Sequence, residues 1–261
     1  MSKHAVTICT QNVLHPMLAD RLAPPRGNRP AYKPASWPER APGIAANIAD
    51  ADIVCLQETS RMVNGHVKGS FNEISLAMHQ GERGKSLHGV SILAKPEIRP
   101  LSAFGWYMQT GEGHSAAGAI LRLPDDGPRI MVASLHLEGY WDGEKDEQKL
   151  EASKAQGYRE LGAYLTYMQP YQKYVDAVVV AGDFNEDCMM PGREFNRHAL
   201  MELLGYRYDE HLAATEKSTG RKLDWIYVWS KQPVELEPVY DYAPCPLASD
   251  HQPHKTRLTF G

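Results

Sequence analysis

Residues 177–185, which read Ala-Val-Val-Val-Ala-Gly-Asp-Phe-Asn, decide the fold. The apolar run 177–181 predicts a β-strand covered on both faces, because a strand with one wet face would alternate apolar and polar residues. Asp183 and Asn185 follow this run and, two positions apart in an extended segment, would share one face. The stretch therefore predicts a buried strand that delivers a carboxylate and an amide to one edge of a sheet.

Comparable runs recur along the whole chain and predict a protein rich in β-structure. The predicted strands cover residues 5–13, 53–57, 89–94, 117–123, 129–137, 177–183, 223–229 and 255–260. Helical spacing of apolar residues predicts helices over residues 37–50, 147–168 and 195–204. Ser36 and Glu39 stand three residues apart in the pattern of a capping box, which marks the start of the first helix.

This order of elements predicts an α/β fold with four layers, in which two packed mixed β-sheets lie between outer helices. A doubly wound parallel sheet is the alternative. The segment Pro124-Asp125-Asp126-Gly127-Pro128 argues against that alternative, because it joins two adjacent strands through residues typical of a hairpin turn.

The composition excludes some classes of function. The 261 residues include 28 Lys and Arg against 32 Asp and Glu, a formal net charge of −4. This balance excludes a strongly basic protein that coats nucleic acid by electrostatics alone. It leaves a nucleic-acid enzyme open, because a carboxylate-rich metal site would account for part of the negative charge. The length fits one large domain or two small ones.

The cysteines and the apolar segments indicate a cellular setting. The cysteines at positions 9, 55, 188 and 245 form no C-x-x-C pair, and Cys9 and Cys55 lie in apolar runs as small hydrophobic residues would. The sequence enters a strand pattern at once, without a long apolar signal segment, and no apolar stretch is long enough to span a bilayer. We therefore expect a cytoplasmic protein with reduced cysteines and no transmembrane segment.

Polar residues suited to metal and phosphate chemistry stand repeatedly at the ends of the apolar runs. They are Asn12, Glu58, His136, Asp183, Asn185, Asp224, Asp250 and His251. Each alone has an ordinary explanation, because a single Asp at a strand end is most often a turn former and a single His is most often structural. Together they predict one site, because independent strand ends rarely supply carboxylate, amide and imidazole groups suited to a single chemistry.

The motifs around these residues carry a family resemblance. The matching blocks are Gln11-Asn12-Val13, Leu56-Gln57-Glu58, Ser134-Leu135-His136-Leu137, Gly182-Asp183-Phe184-Asn185, Leu223-Asp224-Trp225-Ile226 and Ser249-Asp250-His251. In this order the chain resembles the endonuclease/exonuclease/phosphatase superfamily, which includes pancreatic-type deoxyribonucleases, exonuclease III-like repair enzymes, deadenylases and sphingomyelinases. The resemblance covers residues 6–260 and implies a single domain over residues 1–261, a four-layered α/β sandwich and one active site with a divalent cation.

The resemblance implies a metal site formed by residues at the ends of three predicted strands. Glu58 is the expected principal ligand, and Asn12 and Asp250 are expected to complete or support the site. Few carboxylates together with several waters suit Mg²⁺, and Mn²⁺ is the other cation that the resemblance implies.

The remaining site residues are expected to act on the phosphate and on the attacking water. Asp183 would orient and deprotonate the water, and Asn185 would hold a phosphate oxygen. His251 with Asp224 resembles the His–Asp dyad of the family, in which the carboxylate fixes the tautomer and stabilises the imidazolium. His136 is expected to be a second imidazole donor to the phosphate.

Weaker signals surround this set. Tyr140 and Trp141 lie between glycines directly after His136, where they would form either a stacking loop or an ordinary surface turn. Arg61 and Arg193 are candidate phosphate contacts, and solvated surface arginines are the ordinary alternative.

The expected reaction is metal-dependent hydrolysis of a phosphodiester, with a nucleic acid or a nucleotide as the favoured substrate. A phosphatase or phosphodiesterase of a small phosphorylated metabolite or lipid headgroup is the second possibility. A catalytically inactive relative that binds a partner through the same cleft, and an unrelated metal-binding structural protein, are further alternatives. The sequence indicates no obligate protein partner.

Overall fold

The computed structural model describes residues 3–16, 35–79, 88–107, 114–139, 146–186, 197–209, 213–215, 220–241 and 249–261. Within these ranges the strands are β1 (His4–Asn12), β2 (Ile53–Thr59), β3 (Asn72–Met78), β4 (Gly89–Ala94), β5 (Arg99–Tyr107), β6 (Ser115–Arg122), β7 (Arg129–His136), β8 (Ala177–Asp183), β9 (Asp224–Ser230), β10 (Val234–Pro238) and β11 (His254–Phe260). The helices are α1 (Trp37–Ile48), α2 (Arg61–Val67), α3 (Glu147–Met168) and α4 (Arg197–Leu203), and a 3₁₀ segment (Gln169–Tyr174) follows α3.

The strands form two mixed sheets. The first sheet has the order β10-β11-β1-β2-β4-β3, and the second has the order β5-β6-β7-β8-β9. Only β1 with β2 and β7 with β8 run parallel among the described pairs, and every other described pair is antiparallel. The predicted pair of mixed sheets is therefore confirmed, and the doubly wound parallel sheet is excluded.

The stretch 177–185 shows how the layers are built. Val179 and Ala181 of β8 belong to the apolar core between the two sheets. Val178 and Val180 point to the other face, where they pack with Leu161 and other residues of α3. Both faces of β8 are therefore covered, which explains its unbroken apolar run.

Helix α1 covers the outer face of the first sheet in the same way. Ile44 and Ile48 of α1 are fully buried and pack against Val54 of β2. The helix begins where the capping box predicts, because Glu39 accepts hydrogen bonds from the backbone N–H and the hydroxyl of Ser36. Helix, sheet, sheet and helix thus form the four predicted layers.

The predicted hairpin between β6 and β7 is confirmed. Asp125 and Asp126 adopt φ values of +56° and +51°, as the two central residues of a type I′ turn must. The turn closes through a 3.0 Å hydrogen bond from the N–H of Gly127 to the carbonyl of Pro124. Asp tolerates this left-handed conformation better than most residues, so the sequence suits the turn.

Among the elements of the described residues, three strands and one α-helix were not predicted. The strands β3, β5 and β10 all lie at sheet edges, where half-exposed faces mix polar and apolar residues. Such strands lack the continuous apolar runs that identified the central strands. The short helix α2 begins at the cap of Ser60, whose hydroxyl accepts a hydrogen bond from the N–H of Val63.

Two of the four cysteines lie in the described part of the chain. Cys9 and Cys55 are buried free thiols, and burial raises the pKa of both. No helix among the described residues is long and apolar enough to cross a membrane.

Candidate active site

The fold brings the predicted polar residues together at one edge of the sandwich, where the carboxyl ends of β1, β2, β7 and β8 meet. Two groups of residues face each other there, and each is named after the sheet that supplies it. The first-sheet wall consists of Asn12, Glu58, Asp250 and His251. The second-sheet wall consists of His136, Asp183, Asn185 and Asp224.

Asp183 is the carboxylate at the centre of the site. Its side chain is almost fully buried, and its Oδ1 accepts a 2.8 Å hydrogen bond from the backbone N–H of Asn185. Its Oδ2 accepts a 3.1 Å hydrogen bond from Asn12 Nδ2 across the two walls. The Nε2 atoms of His136 and His251 both lie 3.8 Å from this Oδ2. Two imidazoles therefore face one carboxylate oxygen without a direct hydrogen bond to it.

His251 and Asp224 form the predicted dyad. His251 Nδ1 lies 2.7 Å from Asp224 Oδ2, and both side chains are buried. Burial alone would lower the pKa of His251, but the carboxylates of Asp224 and Asp183 raise it well above its ordinary value. The imidazolium form is therefore favoured, and Nε2 is the N–H that faces Asp183.

Glu58 is held in a strained position on the first-sheet wall. Its φ of +52° is unusual for a residue with a side chain, and the pairing of β2 with β4 shifts register between Gln57 and Thr59. The resulting bulge directs the carboxylate towards Asn12, whose Nδ2 donates a 2.9 Å hydrogen bond to Oε1. Bulges beside active sites commonly re-aim a side chain in this way.

The other oxygen of Glu58 supports a cation site. Oε2 is buried and has no hydrogen-bond partner among the described residues. Burial, followed by the charge of Asp250, raises the pKa of Glu58 to about 7. A buried carboxylate oxygen that faces other negative charge fits a divalent cation, and carboxylate oxygens are the ligands that Mg²⁺ and Mn²⁺ prefer.

Asn12 is placed to support the site. Its Oδ1 accepts a 3.0 Å hydrogen bond from the N–H of Leu14, which directs Nδ2 towards Glu58 and Asp183. Its backbone carbonyl accepts a 2.8 Å hydrogen bond from the hydroxyl of Ser249. Of the two roles expected for Asn12, this orientation favours support of Glu58 over direct ligation.

A second group of ligand-type atoms lies nearby. One ligand-type atom from each of Asp183, Asp224 and His251 lies within 4.8 Å of the others, a spacing that could hold a metal ion. His251 Nδ1 and Asp224 Oδ2 are hydrogen-bonded to each other, whereas Asp224 Oδ1 is buried and has no hydrogen-bond partner among the described residues. The positive charge that is favoured on His251 opposes a cation beside it, so the open oxygen of Glu58 is the better cation ligand.

His136 differs from His251 in its protonation. Burial lowers the pKa of His136 to about 3, although the nearby Asp183 acts in the opposite direction. His136 is therefore neutral, and the proton placed on Nε2 would face Asp183. This assignment keeps His136 as a neutral donor beside the charged His251.

A cluster of histidines next to His136 was not predicted from the sequence. The ring of His79 lies 5.7 Å from that of His136 and 4.8 Å from that of His88. Ring nitrogens of these three residues come within 4.8 Å of one another, which resembles a metal site. However, the N–H of Ser115 donates to His79 Nδ1 at 2.8 Å, so neutral His79 carries its proton on Nε2. A protonated nitrogen cannot bind a metal, so the three histidines are poorly suited to hold a metal ion.

His114 joins this cluster to two carboxylates. Its Nδ1 lies 3.3 Å from Glu160 Oε1 and 3.4 Å from Glu138 Oε2. Burial would lower the pKa of His114, but Glu160 and Glu138 raise it above its ordinary value. No sequence motif identifies His79 or His114 as site residues, because their contacts are with residues that become neighbours only when the chain folds.

The remaining candidates are Arg61, Tyr140, Trp141, Arg193 and Asn185. Arg61 is the exposed first residue of α2, and no hydrogen bond or ion pair among the described residues joins it to either wall. Tyr140, Trp141 and Arg193 lie outside the described residues. Asn185 lies in the site with a φ of +50°, and its Nδ2 donates a 2.9 Å hydrogen bond to the carbonyl of Leu137.

A four-layered α/β sandwich with carboxylates and imidazoles at one strand edge is the architecture of a class of phosphoester hydrolases. A model of the endonuclease/exonuclease/phosphatase family matches residues 9–251, so the chain belongs to this family. The resemblance that the motifs indicated is therefore confirmed, and the protein is a hydrolase of phosphoester bonds at the level of its family.

Solved structures share the fold at low sequence identity. The human Nocturnin catalytic domain with bound sulfate has a TM-score of 0.67 and 17% identity, over 98% of this chain and 94% of that one. A mannosyl-6-phosphatase from Bacteroides thetaiotaomicron has a TM-score of 0.68 and 15% identity, over 98% and 100%. ANGEL2, a 2′,3′-cyclic phosphatase, has a TM-score of 0.65 and 16% identity, over 98% and 95%. No curated protein matches the chain in sequence.

Proposed function

We propose that the protein hydrolyses a phosphodiester, in a nucleic acid or a nucleotide, with a divalent cation and a water activated by Asp183. The observation that carries the proposal is the surroundings of Asp183 Oδ2, which faces His136 Nε2 and His251 Nε2 at 3.8 Å each. A carboxylate oxygen between two N–H groups suits a water that must be deprotonated beside a phosphate that must be held.

Glu58 would hold the cation through its buried Oε2, with Asp250 as a further ligand and Asn12 in support. A bound Mg²⁺ or Mn²⁺ supplies neutralisation of the phosphate charge and stabilisation of the leaving oxygen. The strained backbone at Glu58 supports this role, because such strain is most often retained where it has a function.

In the reaction the oxygen of water forms a new bond to phosphorus as Asp183 takes its proton. The bond between phosphorus and the leaving oxygen breaks, the electron pair stays on that oxygen, and solvent supplies its proton. The His251 imidazolium, stabilised by Asp224, would donate from Nε2 to the phosphate in the transition state. His136 and Asn185 would hold the other phosphate oxygens.

The favoured substrate is short. A net charge of −4 opposes a tight hold on long duplex nucleic acid, which requires a basic surface. Among the structurally similar proteins, a 2′,3′-cyclic phosphatase supports a nucleotide, and a mannosyl-6-phosphatase supports the second candidate, a small phosphorylated metabolite. The complete set of site residues in both walls supports an active enzyme over an inactive binding relative.

The expected setting is the cytoplasm, without an obligate protein partner. The buried free thiols of Cys9 and Cys55 support a reducing compartment. Fractionation of cells that produce the tagged full chain would test this setting, and recovery in a secreted or membrane fraction would contradict it.

The reaction is tested by release of nitrophenol from bis-p-nitrophenyl phosphate with Mg²⁺ or Mn²⁺ and then with chelator. We expect turnover with either metal and loss of turnover with chelator. A substrate panel should follow, containing single- and double-stranded DNA, RNA, cyclic and linear dinucleotides, mannose 6-phosphate, phosphoinositides and sphingomyelin. Absence of metal-dependent turnover on every substrate would contradict the proposal, and preference for mannose 6-phosphate would favour the second candidate.

A further inference from the structure

We propose that two buried arginines, Arg40 and Arg197, are positioning residues that separately hold the first-sheet wall and the second-sheet wall of the site. The inference rests on the proposed function, because it assigns cation binding to the first wall and phosphate chemistry to the second. It predicts that the two arginines control different measurable quantities.

Arg40 of α1 holds the segment that follows β1. Its side chain is 1% exposed, and its Nη1 and Nη2 donate to the carbonyls of Val13 and Leu14 at 3.2 Å and 2.8 Å. Its guanidinium also lies 5.2 Å from the centroid of the Trp37 ring. The planar guanidinium of Arg40 therefore donates to two successive backbone carbonyls directly after Asn12.

This contact determines how Asn12 faces Glu58. Leu14 has a φ of +50°, a conformation that side-chain-bearing residues avoid and that the bonds from Arg40 help to maintain. In this conformation the N–H of Leu14 donates to Asn12 Oδ1. The amide of Asn12 is thereby oriented with Nδ2 towards Glu58, so Arg40 acts on the cation ligand through two intermediate residues.

Arg197 of α4 holds the second-sheet wall in a corresponding way. Its side chain is buried, Nη1 donates to the carbonyl of Phe184, and Nη2 donates to the carbonyl of Glu138 at 2.9 Å. Phe184 lies between Asp183 and Asn185 in the sequence, and Glu138 lies two residues after His136. One guanidinium therefore joins the two segments that carry the water-activating and phosphate-holding groups.

Helix α3 leaves room for this guanidinium. A Cβ built at Gly157 would overlap Nη2, Cζ and Nε of Arg197, whereas a Cβ built at Gly162 of the same helix meets nothing within 4 Å. Gly157→Ala is therefore a way to displace Arg197 without removing it, and Gly162→Ala is its matched control.

The forked guanidinium is the feature that matters. Arg presents several donors in one plane and spans two carbonyls, whereas the ammonium of Lys keeps the charge as a compact point. Arg40→Lys and Arg197→Lys therefore preserve the charge and remove the fork. A role that depends on charge alone would survive both changes.

The experiment measures Mn²⁺ binding by titration calorimetry without substrate, together with kcat and KM on bis-p-nitrophenyl phosphate at saturating Mn²⁺, in the full-length chain. For Arg40→Lys we expect the Mn²⁺ dissociation constant to rise about tenfold, with kcat changed less than about threefold. For Arg197→Lys and Gly157→Ala we expect kcat to fall about tenfold or more, with the Mn²⁺ constant changed less than about twofold. Gly162→Ala should match the wild type in both.

The melting temperature of each variant separates positioning from loss of structure. Equal changes of Mn²⁺ binding and kcat in both arginine variants would overturn the inference, as would wild-type values in all of them. If a Lys variant does not fold, the difference between Gly157→Ala and Gly162→Ala still decides the role of Arg197. A wild-type protein that hydrolyses no phosphoester contradicts the proposed function, whereas active protein with indistinguishable variants contradicts the positioning inference alone.

Discussion

Asp183 on the second-sheet wall and Glu58 on the first-sheet wall differ in how many hydrogen bonds their carboxylates accept. On the second-sheet wall both oxygens of Asp183 accept hydrogen bonds, from Asn185 and from Asn12. On the first-sheet wall Glu58 has one buried oxygen without a partner among the described residues, and burial together with Asp250 raises its pKa to about 7. The comparison teaches that Asp183 is fully hydrogen-bonded as it stands, whereas Glu58 lacks a positive charge that a cation would supply.

His136 and His251, which lie on opposite walls, differ in their charge. His136 and His251 are both buried, and both place Nε2 3.8 Å from the same oxygen of Asp183. The pKa of His136 falls to about 3, whereas that of His251 rises well above its ordinary value. Asp224, 2.7 Å from His251 Nδ1, is the partner that His136 lacks, so one carboxylate decides which imidazole is charged.

The largest expected effect comes from Asp183, the residue of the second-sheet wall that accepts a hydrogen bond from the first-sheet wall. Asp183→Asn keeps the shape of the side chain but removes the base, so kcat on bis-p-nitrophenyl phosphate should fall about a thousandfold. The melting temperature and the Mn²⁺ dissociation constant should remain close to the wild-type values. Turnover within about tenfold of the wild type in a folded variant would show that Asp183 is not the base.

A smaller effect is expected when His251, like His136, has no carboxylate partner at Nδ1. Asp224→Asn removes the carboxylate that stabilises the His251 imidazolium, so kcat should fall about a hundredfold. The chemical shifts of the His251 ring, followed by NMR against pH, should show its pKa falling towards that of an uncharged environment. An unchanged titration of His251 would contradict the account of the dyad, whatever happens to the rate.

The smallest expected effect concerns the stability contributed by Glu160 and His114, whose imidazole lies beside His136. Burial would raise the pKa of Glu160, but hydrogen bonds from His114 and from the N–H of Glu138 lower it below 4.5. The contribution of Glu160 to the free energy of unfolding is therefore present above pH 4.5 and disappears as the pH falls through the pKa of the folded state. The carboxylates of Glu160 and Glu138 raise the pKa of His114 above 6.5. The contribution of His114 to the free energy of unfolding is therefore present below pH 6.5 and disappears as the pH rises through the pKa of the folded state. Between pH 4.5 and pH 6.5 both Glu160 and His114 therefore stabilise the folded state.

Glu160→Gln should therefore reduce the free energy of unfolding by about 1 kcal/mol, most strongly between about pH 5 and 6. Urea denaturation of wild type and variant over a pH series measures this difference. Glu151→Gln on the same helix is the control, because its carboxylate is 69% exposed and its pair with Lys154 should contribute little. A constant difference across the pH range would contradict the pairing of Glu160 with His114.

The sequence predicted the centre of the fold and of the site better than their edges. Residues 177–185 identified β8 and Asp183 because a strand covered on both faces is continuously apolar. The edge strands β3, β5 and β10 lack that signal. Arg197 and His79 were missed for another reason, since an arginine at the start of a helix or a histidine at the end of a strand becomes part of a site only through neighbours distant in sequence.

Metal binding by wild type and Glu58→Gln tests the central claim most directly. Mn²⁺ titration calorimetry on both proteins, without substrate, measures whether the open carboxylate of the first-sheet wall holds the cation. We expect the wild type to bind Mn²⁺ and Glu58→Gln, with its fold intact, to bind at least about a hundredfold more weakly. Equal affinity in the two proteins would contradict the placement of the cation at Glu58 and, with it, the proposed division of work between the two walls.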